Sequence, residues 1–310
     1  MMNLNVIVVG SINMDMFAIV AELPRTGETV LGDKFFSCIG GKGANQAVAI
    51  ARLQCPVSLV ARIGKDLFGK QMLSNLKEND IDARFVIEDS DASSGVALVN
   101  VNRNGENTVV VVPGTNQRLS GDDVLRAESV ISRAKVLVAQ LEIPLETVDK
   151  ALSLAKRYNV KTILNPAPGN NLPEDLLQKV DILTPNETEL ERLVRLKIST
   201  KDDMKRACQK LLKTGVKTVI LTIGREGVIV ADKKGFNNYP ALSVEAVDTT
   251  GAGDAFTGGL AAFLAEGLEL DQAVKKAIQV AGYSVTKLGA QPSLPTRMEL
   301  EEFIRIITGK

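Results

Sequence analysis

The segment Asp248-Thr249-Thr250-Gly251-Ala252-Gly253-Asp254 carries the strongest chemical signal in the chain. It lies between a strand-like stretch, Ala241 to Val247, and a helix-like one, Ala255 to Glu266. Gly251 and Gly253 permit a tight turn and let bare backbone N–H groups approach a ligand. A helix N-terminus leaves its first N–H groups unpaired and partly positive, which favours an anion. A carboxylate does not help to hold an anion. Asp254 makes sense there if it takes a proton from a hydroxyl that attacks a phosphoryl group held by those N–H groups. The alternative reading is an acid in a first helical turn, where the helix dipole favours it.

The chain contains no histidine. Ser-His-Asp hydrolysis, Cys-His chemistry and His-ligated zinc are excluded. A general base must be Asp, Glu, Lys, Tyr or Cys.

Other polar loops offer partners for this chemistry. Gly40-Gly41-Lys42-Gly43-Ala44-Asn45-Gln46 opens a helix, with glycines for close backbone approach and Lys42 and Asn45 as donors. It is not a Walker A loop, because Gly43 follows Lys42 and Phe36 stands five positions before Gly41. Gly10-Ser11-Ile12-Asn13-Met14-Asp15 lacks the G-x-G-x-x-G dinucleotide pattern. Asn13 and Asp15, two apart in an extended segment, point to one side and suit vicinal hydroxyls, or they are turn formers. Glu142 follows the strand Val136–Ala139, where an open parallel sheet binds its ligands. In Thr184-Pro185-Asn186-Glu187-Thr188-Glu189, Asn186 and Glu189 share a helix face and suit a hydrated Mg²⁺; the same spacing is also a capping box. Thr222 to Gly227 joins two strands, as a hairpin turn or as a bed for a nucleotide. Gly282 to Ser293 closes a helix and offers carbonyls to a cation.

These loops need a scaffold that brings them together. Strand-like stretches are Leu4–Val9, Val57–Ala61, Val136–Ala139, Thr162–Leu164, Ile182–Leu183, Thr218–Thr222 and Val228–Ala231. They alternate with helical ones at Ala44–Leu53, Phe68–Asn79, Leu145–Tyr158, Asp202–Thr214, Ala255–Glu266, Asp271–Thr286 and Met298–Ile307. This alternation predicts an α/β fold with a parallel sheet covered on both faces. Phe17–Val20, Thr29–Cys38, Ser94–Asn102 and Asn107–Val112 are β-branched-rich and hairpin-like. They predict a small antiparallel sheet with an apolar face that substrate, main domain or a second subunit must cover.

The 310 residues are 45% hydrophobic and 24% charged, and 37 basic residues balance 37 acidic ones. No global field draws nucleic acid or an anionic membrane. No apolar run approaches the ~20 residues of a membrane span, and Met1 to Asn5 has no basic n-region of a signal peptide. Cys38, Cys55 and Cys208 are scattered and odd in number, which predicts a reducing cytoplasm.

Taken in order, the motifs G-G-K-G-A-N-Q-A, N-P-A-P (Asn165 to Pro168), T-P-N-E-T-E, V-D-T-x-G-A-G-D and G-A-Q-P-S resemble the PfkB carbohydrate kinase family, in particular its ribokinase branch. The resemblance runs from Gly10 to Ser293 and is specific as a set. It implies one ribokinase-like domain over residues 1–310, a Rossmann-like three-layer sandwich with a β-sheet lid from about residues 14–39 and 94–113. It implies transfer of a phosphoryl group from ATP to a sugar hydroxymethyl group, the 5-hydroxyl of ribose, with Mg²⁺, activation by K⁺ and a homodimer joined through the lids. Carried over by residue, it puts the sugar against Asn13, Asp15, Gly40, Gly41, Lys42, Asn45 and Glu142. Asp254 matches the catalytic base and Gly251, Ala252 and Gly253 the anion hole. ATP falls to Asn186, Thr222, Gly224, Gly227 and Gly253. Glu189 matches the Mg²⁺-linked acid, acting through water. The K⁺ site falls to Asp248, Thr250, Ser284, Lys287 (by its carbonyl), Gly289 and Ser293. Gln279 stands where a histidine often lies near adenine. Within the same fold, 2-deoxyribose kinases, nucleoside kinases and non-catalytic sugar-binding proteins are the alternatives. The 4% aromatic content and absence of Trp disfavour a nucleoside pocket, and the intact base and glycines disfavour a non-catalytic protein.

Overall fold

A computed structural model describes residues 5–309. Leu4, the start of the first expected strand, lies outside them. In chain order the strands are β1 (Val6–Val9), β2 (Asn13–Val20), β3 (Gly32–Gly40), β4 (Val57–Gly64), β5 (Asp82–Asp89), β6 (Gly95–Asn102) and β7 (Asn107–Val112). They continue with β8 (Val136–Ala139), β9 (Lys161–Leu164), β10 (Ile182–Leu183), β11 (Thr218–Thr222), β12 (Val228–Asp232) and β13 (Gly235–Tyr239).

Nine strands form one sheet in the order β13-β12-β11-β10-β9-β8-β1-β4-β5. All pairs are parallel except β11 with β12 and β12 with β13, which are antiparallel. The strands of a sheet buried on both faces must be apolar on both sides, and β1 shows how. Val6 and Val8 join one core with the helices Lys42–Arg52, Ala252–Ala265 and Leu270–Ser284. Ile7 and Val9 join the other, with the helices Leu145–Arg157 and Lys201–Lys213. The expected α/β class and doubly covered sheet are found.

Three expectations need correction. Ala241–Val247 forms no strand; its apolar side chains line a cavity instead of pairing. The small sheet, ordered β3-β2-β6-β7, is mixed and not wholly antiparallel. Its two hairpins, β2–β3 and β6–β7, join through a parallel β2–β6 pair. A hairpin must be antiparallel, but β3 and β6 are separated by an excursion through β4 and β5 of the large sheet, and such a crossover allows parallel return. Finally, β5 and β13 were not expected. Both are edge strands whose charged or polar residues break the apolar pattern that marks a central strand.

The small sheet keeps much apolar surface in contact with solvent. Phe35 is 67% exposed, and Val109 to Val112 of its edge strand are each about half exposed. Among the described residues, no helix is long and apolar enough to cross a membrane.

Candidate active site

β1 lies between β8 and β4, so the chain proceeds outward from this pair in both directions. The crevice beyond the carboxyl ends at such a switch point is where an open parallel sheet binds ligands. The loops after β1, β8, β9, β10 and β11 deliver Asn13, Glu142, Asn165, Asn186 and Gly224 to that edge.

Asp254 sits at the centre of this edge. Its helix begins at Ala252, three residues earlier than expected, because Gly251 takes a left-handed φ of 77° as the N-cap. That conformation suits glycine. Asp254 is 6% exposed and therefore needs donors. Asn45 Nδ2 donates to its Oδ2 at 3.0 Å and Gln46 Nε2 to its Oδ1 at 2.9 Å. Beside it lies a polar cavity of about 140 Å³ lined by Lys42, Glu189, Gly251, Gly253, Asp254 and Thr257, among others. A Cβ built on Gly253 would meet nothing within 4 Å, so this residue faces open space.

A larger, apolar cavity of about 360 Å³ adjoins the first. Leu242, Val244, Phe256, Ile278 and Val285 line it, with Gly224 and Gly227 at the β11–β12 turn. Asn186, Thr222 and Gly253 line both cavities and so mark their junction. A polar cavity joined to an apolar one suits a nucleotide, with phosphates in the first and base in the second. Gln279 is half-buried and is not among the residues lining the apolar cavity; Ile278, Ala281 and Gly282 of its helix are.

On the other side of Asp254, Asn13 and Asp15 share one face of β2, opposite Gly40 and Cys38 of β3. A Cβ on Gly40 would stand 1.9 Å from Asp15 Oδ2, which makes this glycine obligatory for the carboxylate's position. Burial raises Asp15 to about 7, with added repulsion from Glu142 and Asp254 and an opposing pull from Lys42. Burial works against the Lys42 charge, but Asp254, Glu142, Glu189 and Asp15 outweigh it and hold its ammonium above the usual lysine range. Glu142 Oε2 accepts from Ser11 Oγ at 2.5 Å and from Lys42 N at 3.0 Å, fastening the helix start to the β1–β2 turn. Asn116 donates to Asn13 Oδ1 at 2.7 Å and so sets that amide's orientation. Asn45 Oδ1 is buried without a partner among the described residues, an acceptor facing the same region as the base.

Asn186 and Glu189 form a complete capping box: Glu189 N donates to Asn186 Oδ1 at 2.8 Å and Asn186 N to Glu189 Oε2 at 2.9 Å. The cap does not remove Glu189 from the polar cavity, which it also lines. Burial raises its carboxyl above the usual range, Asp254 adds to this, and Asn186 N–H, Lys42 and Arg192 oppose it. Among the described residues, no group of three or more Asp, Glu, Cys or His could hold a metal by itself. A single carboxylate beside a phosphate cavity fits Mg²⁺, which keeps most of its waters and is shared with phosphates.

The segments expected to hold K⁺ also meet. Asp248 Oδ1 accepts from Thr250 N at 2.9 Å and from Thr250 Oγ1 at 2.7 Å, and Asp248 Oδ2 accepts from Gly289 N at 2.8 Å. Ser284 Oγ donates to Ala281 O and Ser293 Oγ to Ala290 O. The Lys287 ammonium bonds Tyr283 and Glu299, not Asp248.

Sequence reasoning singled out Asn45 and Glu142 but passed over their neighbours Gln46, Gln140, Asn165 and Asn116, all of them buried and polar. Gln46 and Asn165 lay within the quoted motifs; only their burial, which no spacing reveals, separates them from surface amides.

Comparison with known proteins agrees with this geometry. The family model described as pfkB family carbohydrate kinase matches residues 3–297. Ribokinase of Haemophilus influenzae is 39% identical over 297 residues, covering 96% of this chain and 97% of that protein. Deoxyribokinase of Salmonella typhi is 36% identical over 304 residues, covering 98% and 99%. The structure of Arabidopsis thaliana ribokinase complexed with ribose and ATP matches with a TM-score of 0.90 at 31% identity, covering 98% of this chain and 99% of that one.

Proposed function

Since the chain belongs to the pfkB family of carbohydrate kinases, we propose that it phosphorylates the 5-hydroxyl of D-ribose with ATP, using Asp254 as general base. The observation that carries this reading is the position of Asp254. It lines a polar cavity at a helix N-terminus, opens toward Asp15 and Lys42 on one side, and adjoins an apolar cavity of nucleobase character on the other.

Phosphoryl transfer passes through a loose transition state, so positioning and charge neutralisation dominate. The sugar is held by Asn13, Asp15, Gly40, Gly41, Lys42, Asn45 and Glu142. The N–H groups of Gly251, Ala252 and Gly253 at this helix start hold the oxygens of the transferring group, although Ala252 N–H donates to Thr249 O at 3.2 Å in this structure and must turn from it; Lys42 supplies positive charge between acceptor and donor. Asp254 does not deprotonate a free alcohol. It accepts the proton as the O–P bond forms. ATP lies along Asn186, Thr222, Gly224, Gly227 and Gly253. Glu189 would hold Mg²⁺, through water, and Mg²⁺ would supply charge neutralisation on the phosphates. Asp248 and Thr250, with Ser284, Gly289, Ser293 and the carbonyl of Lys287, would hold an activating K⁺.

The exposed apolar strand β7 and Phe35 support a homodimer in which the small sheet acts as lid and interface. The three free cysteines suit a reducing cytoplasm.

The second reading is 2-deoxyribose as acceptor, favoured by the deoxyribokinase relative. ADP release with ribose, 2-deoxyribose, fructose 6-phosphate and adenosine, each with and without K⁺, tests both. Asp15 and Lys42 are placed to pair a ring hydroxyl, and a site with such pairs rejects an analogue lacking it by roughly 10⁴-fold. We expect ribose to lead by that order. Equal kcat/KM for ribose and 2-deoxyribose supports the second reading, and no ADP with any acceptor defeats both.

A further inference from the structure

We infer that Gln46, locked by Gln140, is a positioning residue for the Asp254 carboxylate; this rests on the reading of Asp254 as base. Gln46 and Gln140 are fully buried, and Asn165 is nearly so. The Gln46 amide has no free polar group. One Nε2 hydrogen goes to Asp254 Oδ1 at 2.9 Å and the other to Asn165 Oδ1 at 3.2 Å. Its Oε1 accepts from Gln140 Nε2 at 2.6 Å. Asn165 is oriented in turn by its donation to Thr184 O at 2.9 Å. A flipped Gln46 amide would set oxygen against carboxylate and nitrogen against the Gln140 donor.

Two features separate this chain from ordinary buried amides. First, Asn45 and Gln46 each hold a different oxygen of Asp254, which fixes the plane of the carboxylate as well as its place. Second, Gln140 gains little for itself. Its Oε1 is buried without a partner among the described residues, and Gly10 accommodates it, since a Cβ there would lie 2.0 Å from that oxygen. The hydrogen bond that Gln140 does make is the lock on Gln46.

The test uses the full chain with ATP and ribose, and compares Gln46→Leu, Gln140→Met, Asp254→Asn and the Gln46→Leu/Asp254→Asn double variant. A misplacement of about 1 Å at the reacting groups costs roughly 10²-fold. Gln46→Leu should therefore lose roughly 10²-fold in kcat, with both KM values within about threefold of the parent. Gln140→Met should lose about tenfold in the same pattern, since it removes only the lock. In the Asp254→Asn background, Gln46→Leu should cost less than about threefold more, because residues acting through one group are not additive. If Gln46→Leu does not melt cooperatively, Gln140→Met is judged by the same criteria. If Asp254→Asn is crippled but the glutamine variants keep normal kcat, or if the losses multiply, the positioning role is overturned while the base stands. If Asp254→Asn turns over normally, the base reading fails first and this inference falls with it.

Discussion

Asp248 Oδ2 accepts the Gly289 N–H at 2.8 Å, joining the loop that leads into the Gly251–Gly253 turn to the loop that follows Lys287. Val247 N and Asp248 N also donate to Val285 O at 2.7 and 3.2 Å, so the same lead-in is tied to the helix end that precedes the Gly289 loop. Burial pushes the Asp248 carboxyl up, but the N–H groups of Thr250 and Gly289 and the Thr250 hydroxyl outweigh it and hold it below its ordinary range. The carboxylate is thus charged at neutral pH and available to a cation. If K⁺ binds here, its occupancy sets the shape of the anion hole. Asp248→Asn should shift the K⁺ activation curve roughly tenfold or more to higher concentration, about the 1.4 kcal/mol of one lost charge-assisted contact. Rate against KCl at saturating ATP and sugar measures it. An unchanged curve would remove Asp248 from the K⁺ site.

Asp15 gives the account a pH dependence with a definite sign. Its carboxyl titrates at about 7 in the folded protein, facing Glu142, Asp254 and Lys42. Ionised, it accepts from sugar hydroxyls on both oxygens and more strongly than when protonated, so kcat/KM for the sugar should fall as pH drops through about 7, while KM for ATP changes little. Stability runs the other way. A carboxyl raised above its unfolded value stabilises the fold below the unfolded pKa of about 4, and that contribution is lost as pH rises through the folded value. Without sugar, Asp15→Asn should melt higher than the parent at pH 8, with the gap closing toward pH 4, and should bind sugar poorly throughout. Thermal melts and sugar KM across that range check both halves.

Glu189 caps its helix and is proposed to hold Mg²⁺, two roles that a substitution can separate. Glu189→Gln keeps an oxygen to accept from Asn186 N, and keeps its own N–H on Asn186 Oδ1, but loses the bond from Asn186 Nδ2 at 3.0 Å; full loss of the cap costs ~1 kcal/mol. It removes the charge proposed to hold Mg²⁺. The expected result is a near-parental melting temperature with the Mg²⁺ activation curve moved roughly tenfold higher, since a charged ligand is worth about 1.5–3 kcal/mol. A Mg²⁺ curve that overlays the parent's would leave Glu189 as a cap alone.

How much of this was legible in the sequence differs by element. The doubly covered sheet was readable because β1, β8 and β11 are continuous apolar runs, a pattern that burial on both faces demands. The site loops were readable because glycine and polar residues follow those runs at their carboxyl ends. The parallel β2–β6 junction was not, since pairing across a long crossover leaves no mark on either strand. The fate of Ala241–Val247 was also hidden: an apolar segment that lines a cavity reads the same as one that pairs in a sheet. For Asn186 and Glu189 two readings of one spacing competed; the structure shows the cap, and Glu189 also lines the polar cavity, while the Mg²⁺ reading rests on the activation curve above. Gln46 and Gln140 could be assigned nothing from sequence because their meaning lies in contacts 208 and 94 residues away.

The most direct test of the central claim is the turnover of Asp254→Asn with ATP and ribose. Asparagine keeps the size of the side chain and cannot accept the proton. General base catalysis contributes ~10²–10⁴-fold, about 3–5 kcal/mol of barrier. A fall in kcat of that size is expected with ATP affinity nearly intact, because the proposed site of the nucleobase is the apolar cavity, which Asp254 does not line. Near-normal turnover in a folded Asp254→Asn protein would contradict it.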